Sequence, residues 1–291
     1  MEVTELSNGI CIKGVSHFYP EHIFECGQAF RWDRKGQVYT GVVDGRVAEL
    51  VFDRGDIIIK NTSIREYELF WMHYFDMDRD YGKIKRVLSR DPVVDKAVKF
   101  GWGIRILNQD PWETLISFII SANNNISRIK KIIKNLSRRY GSSLIWNGSE
   151  FFSFPAPDAL ANASIDDLMD CGCGYRARYI KETAGIIYRG DIDLDGLKKA
   201  SYEQAHKELL ACPGVGPKVA DCILLFSCGK GEAFPVDVWI KRTMQHFYPR
   251  HSGSNKEIRQ FVEDRFGRLA GFAQQYLYYY ARDGLRLFTK D

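Results

Sequence analysis

The 291-residue sequence predicts an α+β protein, with an N-terminal antiparallel twisted β-sheet and an all-helical remainder. Three observations carry this reading. The first sixty residues alternate apolar and polar side chains between glycine-containing turns. From about Ile64 onward the apolar spacing becomes that of helices. The length suits two or three domains, each able to bury a core without disulfide or metal staples.

Residues 38–43 and 46–52 read as two strands, because Asp44-Gly45 between them tolerates the positive φ angles of a tight type I′ hairpin. Residues 56–60 supply a third strand after Arg54-Gly55, and Gly27 and Gly36 mark bends or close approaches. Residues 112–121 form a uniformly apolar, buried helix. Over 128–140, Ile129, Ile132, Ile133, Leu136 and Tyr140 fall at helical spacing. Arg128, Lys130, Lys131, Lys134, Arg138 and Arg139 occupy the remaining surface without one acid. Alone, that cationic face fits a solvated helix as well as a polyanion. Past Gly141, Pro155 and Pro157 punctuate the chain, Asp158 or Ser164 can cap, and helices follow over 202–210, 219–226, 238–248 and 256–265. No internal repeat or low-complexity tract interrupts them.

With 45% hydrophobic and 27% charged residues and a mean hydropathy of −0.28, the composition is that of a globular protein, neither disordered nor membrane-embedded. Met1 to Glu5 is acidic and no apolar stretch follows, so neither a secretory nor a transit signal is expected, and an intracellular location is. Seven scattered cysteines, with no Cys-x2-Cys pair, argue against a disulfide framework and structural zinc. A net charge of +4 and a pI near 8.6 suit a polyanionic partner without establishing one.

A sharper signal lies at Leu209-Leu210-Ala211-Cys212-Pro213-Gly214-Val215-Gly216-Pro217-Lys218, a Pro-Gly-Val-Gly turn between two helices. Pro217 suits the first turn of the second helix. Gly214, Val215 and Gly216 can bring backbone N–H groups up to a phosphate. The plainer alternative is an αα-hairpin whose glycines only make the turn. Lys218 sits where the helix dipole disfavours an ammonium, and dipole and desolvation are expected to push it toward the neutral, nucleophilic form. At the ordinary lysine pKa only about one molecule in 2,500 carries that form at pH 7. Read alone, Lys218 is a phosphate-binding lysine and Asp237, nineteen residues on in Phe234-Pro235-Val236-Asp237-Val238, a helix N-cap.

Together, the hairpin, Lys218 and the Pro-Val-Asp sequence resemble the helix-hairpin-helix DNA glycosylases. Further matches point to the 8-oxoguanine DNA glycosylase branch and cover nearly the whole chain. They are Cys26-Gly27-Gln28-Ala29-Phe30-Arg31-Trp32, Ser121-Ala122-Asn123-Asn124-Asn125-Ile126-Ser127-Arg128, Gly174-Tyr175-Arg176-Ala177-Arg178-Tyr179, the hairpin through Cys222, 234–238, and Ala270-Gly271-Phe272-Ala273-Gln274. The resemblance implies that Lys218 attacks the deoxyribose C1′ of an extruded nucleotide. Asp237 would offset the developing positive charge, and a Schiff base would then permit β-elimination.

The same resemblance implies roles around the base. N7 of 8-oxoguanine carries a hydrogen where guanine has an acceptor, so a fixed carbonyl, assigned to Gly27, distinguishes them. That bond is worth about 1–3 kcal/mol, too little to reject every guanine, so selection must also arise during extrusion. Gln274 would bond the base's pairing edge, with Tyr278 stacking on one face and Cys222 on the other. On spacing alone Cys222 serves equally as a small apolar filler. Asn123 would fill the gap left in the duplex, Arg128 and Arg176 would read the orphaned cytosine, and Tyr175 would wedge beside it. Carbonyls of Leu210, Cys212 and Val215 could hold a structural cation. Neither a cofactor nor a catalytic metal is implied, and the cysteine loop of iron–sulfur branches is absent.

Two departures stand out: Trp239 replaces a histidine frequent in close relatives, and position 278 carries tyrosine rather than phenylalanine. The expected division is a sheet domain over 1–98, a helical domain from 99–122 with 239–291, and a second over 123–238 bearing the helix-hairpin-helix at about 205–226. The site cleft would lie between the helical domains. The partner would be duplex DNA carrying 8-oxoguanine opposite cytosine, bound by a monomer. A glycosylase for other damaged purines, or a non-catalytic DNA-binding module, stays open on this reading.

Overall fold

The computed structural model describes residues 2–285. Six strands, β1 (Glu2–Leu6), β2 (Gly9–Lys13), β3 (Trp32–Lys35), β4 (Val38–Val43), β5 (Arg46–Asp53) and β6 (Asp56–Lys60), form one sheet in the order β1-β2-β6-β5-β4-β3. Every neighbouring pair is antiparallel. Asp44 and Gly45 take φ of 47° and 71°, the pair of positive values that a type I′ turn demands. Gly41 faces Trp32 across the β3–β4 pair, and a Cβ there would stand 2.4 Å from the indole.

Three strands are expected from the sequence and six are present. β1 is largely exposed, and β3 is exposed beyond Trp32, so neither shows the apolar alternation that betrays a half-buried strand. Packed with the sheet are α1 (Pro20–Phe24), α2 (Ile64–Glu66), the π-helical turn Tyr67–Trp71 and α3 (Met72–Tyr74). Ile10, Trp32, Leu50, Ile59, Trp71 and Phe75 anchor this first core.

A second core begins with α4 (Tyr81–Leu88) and α5 (Pro92–Phe100). It continues through α6 (Pro111–Ser121), α7 (Ile126–Tyr140), α8 (Pro157–Asn162), α9 (Ile165–Asp170) and α10 (Arg176–Tyr188). The chain then forms α11 (Gly196–Lys199), α12 (Tyr202–Leu209), α13 (Pro217–Ser227), α14 (Val238–Phe247), α15 (Asn255–Phe266) and α16 (Ala270–Tyr279). The buried residues of α7 are Ile129, Ile132, Ile133, Leu136 and Ser137; its basic residues lie off that face, and Lys130 reaches the Trp32 carbonyl and Asp33 of β3. No helix among the described residues is long and apolar enough to cross a membrane.

The expectation of an all-helical remainder is corrected by a small hairpin, β7 (Ser143–Trp146) and β8 (Ser149–Phe152). Its turn, Asn147-Gly148, has φ of 48° and 70°, and its strands escape notice because both faces are largely exposed. Asp158 is not a cap either. It lies inside the first turn of α8, which starts on Pro157 after Ala156, whereas Ser164 does cap α9 by accepting from the Asp167 N–H at 3.0 Å. Buried Gln28 joins the two cores. Its carboxamide donates to the carbonyls of Ile23 at 2.9 Å and Arg105 at 2.8 Å, and accepts from the Leu107 N–H at 2.9 Å.

Candidate active site

The hairpin between α12 and α13 is tightened by the Cys212 N–H to the Leu209 carbonyl at 3.0 Å and the Val215 N–H to the Cys212 carbonyl at 3.1 Å. Gly214 has φ of 82° and a Cβ there would stand 2.9 Å from Tyr179, so both conformation and space require glycine. Gly216 N-caps α13 without a side chain and with open space around it, which leaves the first N–H groups of the helix accessible to an anion. The carbonyls of Leu210 and Val215 accept no hydrogen bond among the described residues, and that of Cys212 keeps a lone pair.

Lys218 follows Pro217 in the first turn of α13, its Nζ 5.1 Å from the centre of the Phe118 ring on α6. Asp237 caps α14, its carboxylate accepting from the Ile240 N–H at 2.8 Å. Both line one cleft of about 730 Å³ whose walls are the end of α6, the hairpin and the start of α14. Burial is the largest influence on Asp237 and raises its pKa against the Ile240 N–H and Lys218. For Lys218 the expectation of a neutral amine is corrected. Burial lowers its pKa and is the largest single cause, but Cys222, Asp237 and Tyr278 together outweigh it and the net direction is upward. The resting group is an ammonium.

Around the amine stand the residues expected to hold a base. Cys222 is buried one turn after Lys218, and burial pushes its thiol up to about 12 despite the neighbouring ammonium. Gln274 is buried on α16. Its Nε2 donates to the Pro235 carbonyl at 3.3 Å, in the segment leading to Asp237, while its Oε1 is buried without a partner among the described residues. Tyr278 lies one turn further along the same helix, and its extra hydroxyl is accommodated beside Arg282. Gly27 has φ of 81°, and a Cβ added there would approach Tyr278 and Arg282 at 3.3 Å each.

Of the residues expected to handle the duplex, Asn123 lines the cleft, and Tyr175 and Arg176 meet the Ala122-Asn123 backbone beside it. Asn123 is exposed at a φ of 48°, and Arg128 is exposed with no side-chain partner among the described residues. Tyr175 is 60% exposed, as a wedge needs. Arg176 differs from its expected placement. It is only 4% exposed, donates to the carbonyls of Ala122 and Asn123, the latter at 3.0 Å, and stacks over Tyr175 at 4.4 Å. In this state it holds the Asn123 loop, and Arg128 is the arginine left open.

Sequence reasoning misses three contributors. Phe118 floors the amine. Asp221, fully buried on α13, accepts from Tyr202 Oη and Arg259 Nη2, both at 2.6 Å, and so ties the helix that carries Lys218 to α12 and α15. Arg282 lies two turns past Gln274 on the face that carries Tyr278, a spacing the sequence does display.

Comparison with known proteins agrees with this geometry. A family model for the 8-oxoguanine DNA glycosylase N-terminal domain matches residues 11–115, and one for the HhH-GPD superfamily of base excision DNA repair proteins matches residues 116–268. An 8-oxoguanine glycosylase/lyase of Clostridium acetobutylicum was solved with double-stranded DNA containing cytosine opposite 8-oxoG. It superposes with a TM-score of 0.94 at 45% identity over 97% of this chain and 98% of that one. The N-glycosylase/DNA lyase OGG1 of Arabidopsis thaliana is 32% identical over 277 residues, 88% of this chain and 75% of the plant protein. A relative from Methanothermobacter thermautotrophicus, described as a probable N-glycosylase/DNA lyase, is 38% identical over 200 residues. The match spans 64% of that protein's length. A cleft that joins a hairpin lysine to a capping aspartate, both family domains in order and end-to-end superposition lead to one assignment: this chain belongs to the 8-oxoguanine DNA glycosylase family of the HhH-GPD superfamily.

Proposed function

We propose that this protein is a bifunctional DNA glycosylase/lyase of base-excision repair that removes 8-oxoguanine from duplex DNA, with Lys218 as nucleophile and Asp237 as its electrostatic partner. The observation that carries the reading is that these two side chains line one cleft at a helix-hairpin-helix, with an unsatisfied Gln274 acceptor deeper in the fold. The Lys218 ammonium gives up a proton that ends on the departing base, and its amine bonds to C1′ while the C1′–N9 bond breaks and the base leaves with that electron pair. Asp237 stabilises the positive charge that develops on the sugar. Ring opening gives a protonated imine, which acidifies C2′. Loss of a C2′ proton then expels the 3′ phosphate by β-elimination, and water releases the lysine.

In the same reading the Gly27 carbonyl accepts from N7–H, Gln274 Oε1 accepts from the pairing edge, and Cys222 and Tyr278 sandwich the ring. Asn123, Arg128, Tyr175 and Arg176 manage the orphaned cytosine, the opposing base in the Clostridium complex. The hairpin carbonyls of Leu210, Cys212 and Val215 are suited to a structural cation between hairpin and phosphate. The three-domain division proposed from the sequence would put the cleft between its two helical parts.

Borohydride reduction during incubation with an 8-oxoguanine:cytosine duplex should trap a covalent adduct, and Lys218→Gln should abolish it while retaining DNA binding. Excision of 3-methyladenine in preference to 8-oxoguanine would overturn the substrate. Binding with neither excision nor adduct would reduce the protein to a DNA-binding module.

A further inference from the structure

Four consecutive carbonyls, from Glu25 to Gln28, surround the position assigned to lesion recognition, and three are occupied by side chains from distant parts of the chain. Glu25's accepts from Arg282 Nη2. Cys26's accepts from Gln275 Nε2 at 2.8 Å, and Gln28's from Gln109 Nε2 at 2.8 Å. Gly27's accepts no hydrogen bond among the described residues. A glycine at φ of 81° has no side chain to hold its peptide planes, so the orientation of its carbonyl depends on what grips its neighbours.

Arg282 does more than bond one carbonyl. Its guanidinium lies over the Tyr278 ring at 5.4 Å, is paired with Asp283 at 2.6 Å, and meets the Tyr278 hydroxyl. Its Nη1 stands 3.3 Å from where a Cβ on Gly27 would be. One side chain thus touches the recognition loop, its glycine and the stacking ring. Gln275, adjacent to Gln274 on α16, grips the same loop, so the helix that meets the base also sets the backbone the base must meet.

We propose that Arg282 and Gln275 are positioning residues for lesion recognition: by occupying the carbonyls of Glu25 and Cys26 they leave the Gly27 carbonyl alone to accept the N7 hydrogen, and so set the preference for 8-oxoguanine over guanine. The inference rests on the function proposed above. A base-recognition role separates from a purely structural one because nicking of a preformed abasic site needs Lys218 but no base.

The test compares single-turnover excision from an 8-oxoguanine:cytosine duplex with nicking of an abasic duplex, in the wild type and in Arg282→Met, Arg282→Lys and Gln275→Leu. The excision-to-nicking ratio should fall about ten- to a hundredfold in Arg282→Met, as expected for one recognition bond misplaced, and less in Gln275→Leu. Arg282→Lys should recover part of it, because an ammonium can still donate to the Glu25 carbonyl. Should Arg282→Met not fold, the other two variants read the same ratio. A ratio equal to wild type in the folded variants, or both rates falling in parallel, would overturn the clamp. A wild-type protein inert on 8-oxoguanine would instead overturn the functional reading beneath it.

Discussion

On the function proposed above, Asp237 combines two jobs that substitution can separate. As N-cap of α14 it accepts one hydrogen bond from Ile240 at 2.8 Å, and asparagine performs that service about as well as aspartate. Burial already raises the carboxyl's pKa, so the folded state tolerates the anion at a cost that asparagine escapes. Asp237→Asn should therefore leave unfolding free energy within about 0.5 kcal/mol of wild type, while Asp237→Ala should lose about 1 kcal/mol with the cap. Excision should behave differently. A carboxylate about 4–5 Å from a developing sugar cation, at an effective dielectric constant of about 20, contributes roughly 3–4 kcal/mol, or two to three powers of ten in rate. Both variants should lose that factor in single-turnover excision. Asp237 is also among the groups that hold Lys218 above the ordinary lysine value, so its removal lowers the amine's pKa. Nicking of preformed abasic sites by Asp237→Asn should then rise at lower pH than in the wild type. Urea unfolding and pH-resolved nicking read these effects. An asparagine variant that excises at the wild-type rate refutes the charge argument, and one as unstable as the alanine variant refutes the cap.

Two further expectations concern the frame of the site. Lys85 is 2% exposed, donates to the Trp102 carbonyl, and has its pKa lowered to about 7 by burial and then by Arg105. Above pH 7 the unfolded chain keeps a proton that the folded one releases, so stability should rise by about 1.4 kcal/mol per pH unit toward the unfolded lysine value. Below pH 7 both states are protonated and this slope vanishes. Urea unfolding at pH 7 and 9 should show a gain about 2–3 kcal/mol larger in the wild type than in Lys85→Met, and equal gains would contradict the burial argument. The two arginines should part company in the same measurement. Arg176→Met loses its bonds to the Ala122 and Asn123 carbonyls and should cost about 1–3 kcal/mol, while exposed Arg128→Met should stay within about 0.5 kcal/mol. Only the latter should change opposing-base preference without changing stability, read by excision from four duplexes.

What the sequence discloses, and what it withholds, follows from how local each constraint is. Asp44-Gly45 announces its hairpin because two positive φ values in succession exclude most residues, and Asn147-Gly148 carries the same signal for a hairpin that sequence reading passes over. Gly214 and Pro217 are legible for the same reason: a turn and a helix start impose their own chemistry. Lys218 and Asp237 become legible only as a pair, since either alone has an ordinary structural use. The protonation of Lys218 is not legible at all, because it is set by how burial balances against Cys222 and Asp237, and that balance exists only in the tertiary fold. Gln275 is hidden likewise, and Arg282 shows its spacing from Gln274 and Tyr278 but not what it bonds. Their partners lie 249 and 257 residues away, and no pattern near either one indicates a carbonyl waiting there.

An ammonium at rest is compatible with a nucleophilic lysine if the substrate itself removes the proton's support. The Cys222 thiol, at about 12, is uncharged at neutral pH, so the ionic hold on Lys218 falls chiefly to Asp237. In the proposed reaction a purine between Cys222 and Tyr278 would exclude the remaining solvent from the amine and so add to burial, the largest influence on Lys218 and the one that lowers its pKa. As positive charge grew at C1′, Asp237 would have a second cation to stabilise and would hold the ammonium less. Both changes would arrive only with an extruded nucleotide. The upward direction of the Lys218 pKa favours the ammonium in the free protein, and the proposed reaction would couple its nucleophilicity to base extrusion through solvent exclusion.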